Sequence, residues 1–416
     1  MTHPSGQTSA RGPAIAANTA LRATTIGVRS ALVVGLAVWF EPAELGVYGV
    51  VAATITLATY LFGLDFYTYT LRAISPAELG SARYQLRDQF LLFCGIYLIG
   101  GLALAAILPE FGLDSTLAIF TAAIAVLQHA ALELYRVLLR LERTLAASLC
   151  LFIRDAAWVP ICPIAWFIRG ELDLSDVLLF WLAGSLAAVG VAAMFFFHAA
   201  PPGTYRPVNP SWLGQGLRTG LRMLPGTLSL RGLFTVDRMI LASIATPEIL
   251  GAYVFFSALC GAATALFETG ILPFFWPPLL EASRRGERER QAAAQHALTR
   301  ACLIGALGLA VASVAGGAVL AALLPHAAYR EHLSLLIWIA LAYLLVTFSN
   351  IPHYRLYAAN YDLAIVLCNV TAFVLFLALA GTLALADVAL AVPIALVSAS
   401  ALLLSLKWEA ARRYCV

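Results

Sequence analysis

Charge is what this chain has least of. Asp, Glu, Lys and Arg together make up 12% of its 416 residues, against 61% hydrophobic, where a soluble domain carries about a quarter charged residues. A water-soluble globule is thereby excluded, and the composition reads as a polytopic membrane protein. The seven cysteines (Cys94, Cys150, Cys162, Cys260, Cys302, Cys368, Cys415) form no CxxC pair and have no histidine at ligand spacing, so neither a disulfide framework nor a metal site is implied. Within apolar runs they read as small core side chains. The polar segments hold no Gly-rich nucleotide loop, HExxH or GxSxG, which leaves no support for an ATPase or a hydrolase. No cofactor and no nucleic-acid partner is implied. Residues 1–18 lack an apolar core ending in a small-residue cleavage site, and are expected to form a disordered cytoplasmic tail rather than a signal peptide.

What the chain has instead is a series of long apolar runs. Crossing about 30 Å of hydrocarbon takes about 20 helical residues, and runs of that kind lie near 19–40, 44–64, 88–109, 115–136, 145–168, 175–198, 217–245, 248–275, 297–324, 332–356, 361–383 and 388–406. The spans must be helices, because a backbone in lipid has to bond internally and no alternating barrel pattern is present. Their orientation is readable from the cations. Arg11 and Arg22, then Arg72, Arg83 and Arg87, and then Arg136, Arg140 and Arg143 fall on one side. So do Arg206, Arg218 and Arg222, the run Arg284–Arg290 with Arg300, Arg355, and finally Lys407, Arg412 and Arg413. The opposite turns hold only Arg169 and Arg330, among acids such as Glu41, Glu110, Asp173 and Asp387. The positive-inside rule then puts both termini in the cytoplasm.

The halves repeat. Pro42-Ala-Glu-Leu-Gly-Val-Tyr48 enters the second span and Pro247-Glu-Ile-Leu-Gly-Ala-Tyr253 enters the eighth, a shared P-x-x-L-G-x-Y at an offset of 205 residues. The same offset carries Arg83 onto Arg288. Two parallel six-helix halves are expected. The organisation is then a tail at 1–18, a bundle at 19–198, a Pro-rich cytoplasmic linker at 199–214, a second bundle at 215–406 and a tail at 407–416. Pro starts a helix without wasting a bond, Gly admits a close approach, and Tyr suits the interface; a structural role accounts for the motif.

The seventh span, with arginine at its centre and Asp237-Arg238-Met-Ile-Leu near its end, followed by Pro247-x-x-Leu-Gly-x-Tyr253, resembles the polysaccharide flippases of the multidrug/oligosaccharidyl-lipid/polysaccharide (MOP) superfamily. Twelve helices in two parallel halves with cytoplasmic termini resemble that family as well. The resemblance implies an all-α membrane protein, two six-helix bundles around a central cavity, working by alternating access. The implied task is to move undecaprenyl-pyrophosphate-linked oligosaccharide repeat units, for O-antigen or exopolysaccharide, across a bacterial cytoplasmic (inner) membrane. Polysaccharide polymerase and chain-length proteins are the implied partners, with the membrane lipids. It is a transporter rather than an enzyme on this reading.

Four arginines lie inside spans: Arg29, Arg154, Arg231 and Arg238. Such a charge costs about 2.5–3.5 kcal/mol at the bilayer centre, so it faces a wet cavity or a partner. Shifted by the repeat offset, Arg29 falls on Phe234, and 231, 234 and 238 share one helix face. The four arginines are therefore candidate cavity cations for a pyrophosphate, which guanidinium grips with paired hydrogen bonds. The competing reading is pairing with Asp237, Asp155, Glu133 or Glu268 that locks helices together; neighbours such as Arg154 and Asp155 point about 100° apart on a helix, so pairing is expected between helices or through water. Glu268, deep in the eighth span, and Glu133, in the fourth, are candidate carboxylates for coupling to H⁺ or Na⁺. Pro225, the Pro160/Pro163 pair and Pro273–Pro278 are expected to interrupt helices. A MATE-type drug/cation antiporter of the same superfamily is the alternative. It needs an acidic cavity, whereas the stripe here is cationic. A major facilitator transporter is disfavoured because Asp65–Arg87 lacks that class's basic loop motif, and a membrane enzyme because the outer loops are short.

Overall fold

A backbone with no water to bond must satisfy itself, and helices are the regular structure throughout the computed structural model, which describes residues 11–73, 79–199, 206–386 and 390–415. In chain order come α1 (Arg11–Trp39), α2 (Pro42–Gly63), α3 (Tyr67–Ala73), α4 (Leu79–Ile107), α5 (Ser115–Arg140), α6 (Thr144–Asp155), α7 (Ile161–Arg169), α8 (Leu174–Ala199) and α9 (Pro210–Gly232). There follow α10 (Val236–Ile244), α11 (Pro247–Gly270), α12 (Leu272–Arg285), α13 (Arg288–Leu323), α14 (Ala328–Glu331), α15 (Ser334–Phe348), α16 (Asn350–Ala358), α17 (Asp362–Leu385) and α18 (Ala391–Tyr414).

Ten helical stretches among the described residues are long and apolar enough to cross a membrane. The expected spans at 145–168 and 217–245 are not among the ten: each is built from two helices, and of the four pieces only α9 has the length, while its arginines and polar residues leave it too polar. The first breaks at 156–160, between α6 and α7, where Pro160 has no N–H to continue the ladder. The second breaks at 233–235, between α9 and α10. Pro225, expected to interrupt that span, instead lies inside the continuous α9.

Several boundaries differ from the sequence expectation. Residues 11–18, read as tail, are the first turns of α1, whose run of Ala favours helix; 1–10 lie outside the described residues. At the linker, 200–205 lie outside them too, and α9 already begins at Pro210, with the Asn209 side chain accepting the Trp212 N–H at 3.1 Å as an N-cap. The segment 407–414, read as tail, continues α18, and Lys407 is buried.

The chain divides into two compact units. One holds the residues up to Arg29 with Thr54–Leu224; the other holds Ser30–Ala53 with Pro225–Val416. In the first, α5 and α6 pack on α8 around Leu138, Ala147, Cys150 and Ala192. A second cluster in this unit joins Phe66, Phe93 and Trp212, with Phe66 edge-on to Trp212 at 5.4 Å. The turn that places Phe66 runs through Leu64 and Asp65, both left-handed at φ 47° and 51°. That turn is backed by α9, where a Cβ at Gly220 would overlap the Leu64 carbonyl oxygen.

In the second unit, α11 packs against α13 and α15, and Phe267, Leu272, Leu298, Cys302 and Ile351 form a buried core. Here the repeated motif shows its purpose. The two copies lie against each other: a Cβ at Gly46 would stand 3.0 Å from Leu250 Cγ and 3.3 Å from the Gly251 nitrogen, and one at Gly251 would overlap the Pro42 carbonyl oxygen. Both motif tyrosines, Tyr48 and Tyr253, are buried. The Leu-Gly step is therefore what lets α2 and α11 cross with their backbones nearly touching. Gly251→Ala is expected to destabilise the purified protein by about 1–3 kcal/mol, because the methyl meets backbone rather than a mobile side chain. An unchanged thermal midpoint would show that the helices do not cross this closely.

Candidate functional site

Each unit holds charge in its helical interior, and helix breaks position it. In the first unit α6 ends at Asp155 and the chain leaves helical geometry at Ala156. The expected divergence of adjacent side chains therefore does not hold: Arg154 turns onto Asp155, with Nε donating at 3.0 Å and Nη2 at 2.7 Å to its two oxygens. Arg29 of α1 reaches the same carboxylate at 3.9 Å. Asp155 is buried and the Arg154 side chain is 12% exposed, while that of Arg29 is 50% exposed. Two guanidiniums on one carboxylate leave the cluster net cationic, with Arg29 as its open end. The carbonyl that the break frees at Arg154 accepts the Trp158 indole N–H at 3.1 Å. About two turns down α1, Arg22 donates to the Tyr135 hydroxyl at 2.8 Å.

Glu133 lies in the same unit, buried on α5. One oxygen takes an ion pair from Arg136 and faces His129 Nε2 at 3.5 Å; the other accepts from Gln89 Nε2 at 2.7 Å. Gln89 in turn accepts from Thr70 at 2.8 Å, and His129 Nδ1 shares a 2.7 Å hydrogen bond with the Tyr97 hydroxyl. The Arg136 guanidinium lies 3.6 Å over the Tyr67 ring. The sequence flagged Glu133. Gln89, Thr70, Tyr67 and Tyr97 come from other helices, and no local pattern marked them.

In the second unit Arg231 lies in the last turn of α9 with its side chain exposed, and its carbonyl accepts the Phe234 N–H and the Thr235 hydroxyl, both at 3.1 Å. Beyond the break, Asp237 is 1% exposed and accepts from the Tyr253 hydroxyl at 2.7 Å and the Arg238 N–H at 2.8 Å. The Arg238 guanidinium is half-buried among Asp237, Tyr343, Tyr253 and Tyr48, and its Nε has no hydrogen-bond partner among the described residues. Glu268 lies in the last turn of α11 with an exposed side chain rather than deep in the span, because the helix stops at Gly270. It makes no hydrogen bond or ion pair among the described residues. Among those residues no group of three or more His, Cys, Asp or Glu could hold a metal ion.

No family model and no curated protein matches the chain. Solved structures do. An inward-facing MATE-family multidrug resistance transporter of the MOP superfamily is similar over 96% of this chain and 100% of its own, at 14% identity and TM-score 0.64. A MOP superfamily transporter from Pyrococcus furiosus, described as having a binding pocket of reverse polarity that suggests a different function, matches over 96% and 95% at 14% identity and TM-score 0.61. An outward-facing MATE-family structure matches over 96% and 95% at 15% identity and TM-score 0.58. The chain therefore has the all-helical fold of the MATE transporters of the MOP superfamily.

The buried cluster has a direct stability consequence. Asp155→Asn strips Arg154 of its counter-charge, and breaking a buried pair from one side costs about 3–5 kcal/mol. Arg29→Gln, at the exposed end, is expected to cost under about 1 kcal/mol. Thermal unfolding of the two variants checks the contrast, and equal losses would contradict the assignment of Arg29 as the open end.

Proposed function

We propose that the chain is an alternating-access transporter of the MOP type whose cargo is anionic, a lipid-linked oligosaccharide carried on a polyprenyl pyrophosphate. The observation that carries this reading is the state of the charges. The buried carboxylates Asp155, Glu133 and Asp237 are each taken up by protein donors. Arg29 and Arg231 keep exposed guanidiniums. An exposed arginine in a membrane span is a group for holding a phosphate, since its fork donates paired hydrogen bonds and it stays charged. Arg154 and Arg238 then act from behind, raising the positive potential around the two exposed groups. One structure of this fold is described as having a binding pocket of reverse polarity, so the fold is compatible with more than one pocket polarity. On this reading the chain lies in the cytoplasmic (inner) membrane of a bacterium with both termini inside, and serves surface polysaccharide biosynthesis beside a polymerase and chain-length proteins. Coupling to H⁺ or Na⁺ runs through Glu133 or Glu268.

A second reading has its own support. The similar structures include multidrug resistance transporters, and Glu268 is an exposed carboxylate that none of the described side chains neutralises. A drug/cation antiporter would use it as the cation's counter-charge.

The two separate by experiment. Arg29→Gln with Arg231→Gln is expected to abolish surface polysaccharide in the native host while the protein stays at normal membrane levels; normal polysaccharide in that double variant overturns the anionic-cargo reading. Glu268→Gln is expected to remove the dependence of vesicle transport on a proton or sodium gradient. Loss of cationic dye efflux in Glu268→Gln cells, with polysaccharide intact, would instead establish the antiporter.

A further inference from the structure

Away from the intramembrane charges, the second unit has a groove of about 480 Å³ at the C-terminal end of α18, where α18 meets α13 and the α15–α16 junction. Leu303, Phe348 and Leu404 make its apolar part, and Trp408 and Arg412 stand at its rim. Trp408 is 40% exposed. Its ring is the kind that settles at the headgroup level, with the indole N–H on the wet side. Glu409 also lines the groove, but Arg413 Nε takes its carboxylate at 2.7 Å. Arg412 is thereby left exposed, with no ion pair or hydrogen bond among the described residues. The span thus ends in an apolar slot capped by an uncommitted cation and an uncommitted indole donor. A basic pocket between transmembrane helices, placed where headgroups lie, fits a phosphate-bearing lipid.

We propose that this groove is a binding site for an anionic membrane phospholipid, with one acyl chain along Leu303, Phe348 and Leu404 and the headgroup phosphate held by Arg412 and the Trp408 N–H. The occupant is a lipid rather than a protein helix because the rim offers donors for one small anion and the floor, along Leu303, Phe348 and Leu404, is apolar. The site is independent of the cargo reading: it uses none of Arg29, Arg154, Arg231 or Arg238. An occupant there bears on α13, α16 and α18 together, so its loss loosens the end of the second unit.

The test uses the full chain, purified in detergent and stripped of lipid, with phosphatidylglycerol and phosphatidylcholine as probes and native mass spectrometry and thermal shift as readouts. The wild type is expected to retain phosphatidylglycerol preferentially and to gain thermal stability from it. Arg412→Gln is expected to cut that preference about fivefold, the contribution of one basic residue near a headgroup. Ser405→Trp, which fills the slot from an exposed position, is expected to lose both lipids, while lipid-free midpoints stay at the wild-type value. Millimolar inorganic phosphate is expected not to compete. Equal retention of both lipids by the wild type, unchanged retention in both variants, or competition by free phosphate would each overturn the proposal. Displacement by equimolar polyprenyl phosphate would overturn it in favour of a cargo-docking groove.

Discussion

A charge inside hydrocarbon must find its partner within the protein, and the internal architecture of each unit depends on that constraint. Asp155 cannot stand buried without cations, so α6 stops where it does and lets Arg154 fold back onto it. Asp237 cannot stand buried without donors, so α10 starts where Tyr253 can reach it. At each break a side chain four residues on serves a carbonyl: the Trp158 indole is the donor at Arg154, and the Thr235 hydroxyl joins the Phe234 N–H at Arg231. An unbonded carbonyl in lipid would cost several kcal/mol. The same short stretches therefore settle charge and backbone together, at Arg154 in the first unit and at Arg231 and Arg238 in the second.

The motif copies solve a different problem, how two helices approach within backbone distance. Lipid tails are as apolar as leucine, so association rests on close packing rather than on the hydrophobic effect. Gly46 and Gly251 provide that approach, and each lies one position after a leucine and two before a buried tyrosine. Tyr253 then does a second job by donating to Asp237. A motif that reads as helix entry, glycine and interface ring is, in three dimensions, a crossing point with a charged group seated beside it.

Much of this was legible in the sequence, and the remainder was not for physical reasons. The spans were readable because length and apolarity are set by the bilayer, and the motif because it recurs at the same place in each half. The break at 156–160 had a marker in Pro160, while that at 233–235 had a weaker one in Gly232, at which α9 ends. The Arg154–Asp155 pair was missed because Pro160 does not show that the helix already ends at Asp155, and side chains one residue apart diverge only while the helix continues. The Glu133 network was half-visible. Glu133 and His129 share one face of α5, but Gln89, Thr70 and Tyr67 are brought to them by tertiary packing that no spacing encodes. Lys407 ran the other way: its position after the last apolar run suggested a solvated tail, yet α18 continues and the residue is buried.

The proposed sign of the cargo rests on which charges keep an exposed side chain after folding. A carboxylate that already accepts two or three hydrogen bonds from arginine, glutamine or tyrosine has little left to offer an organic cation, and exchanging those donors for a ligand would re-expose the buried partners at a cost of about 1–3 kcal/mol each. Asp155, Glu133 and Asp237 are all in that position. Arg29 is not, because its contact to Asp155 is long and its side chain is half exposed. A phosphate arriving there would add a bidentate partner while Asp155 kept Arg154. Binding of an anion thus costs the fold almost nothing, and binding of a cation at the same cluster would have to dismantle it.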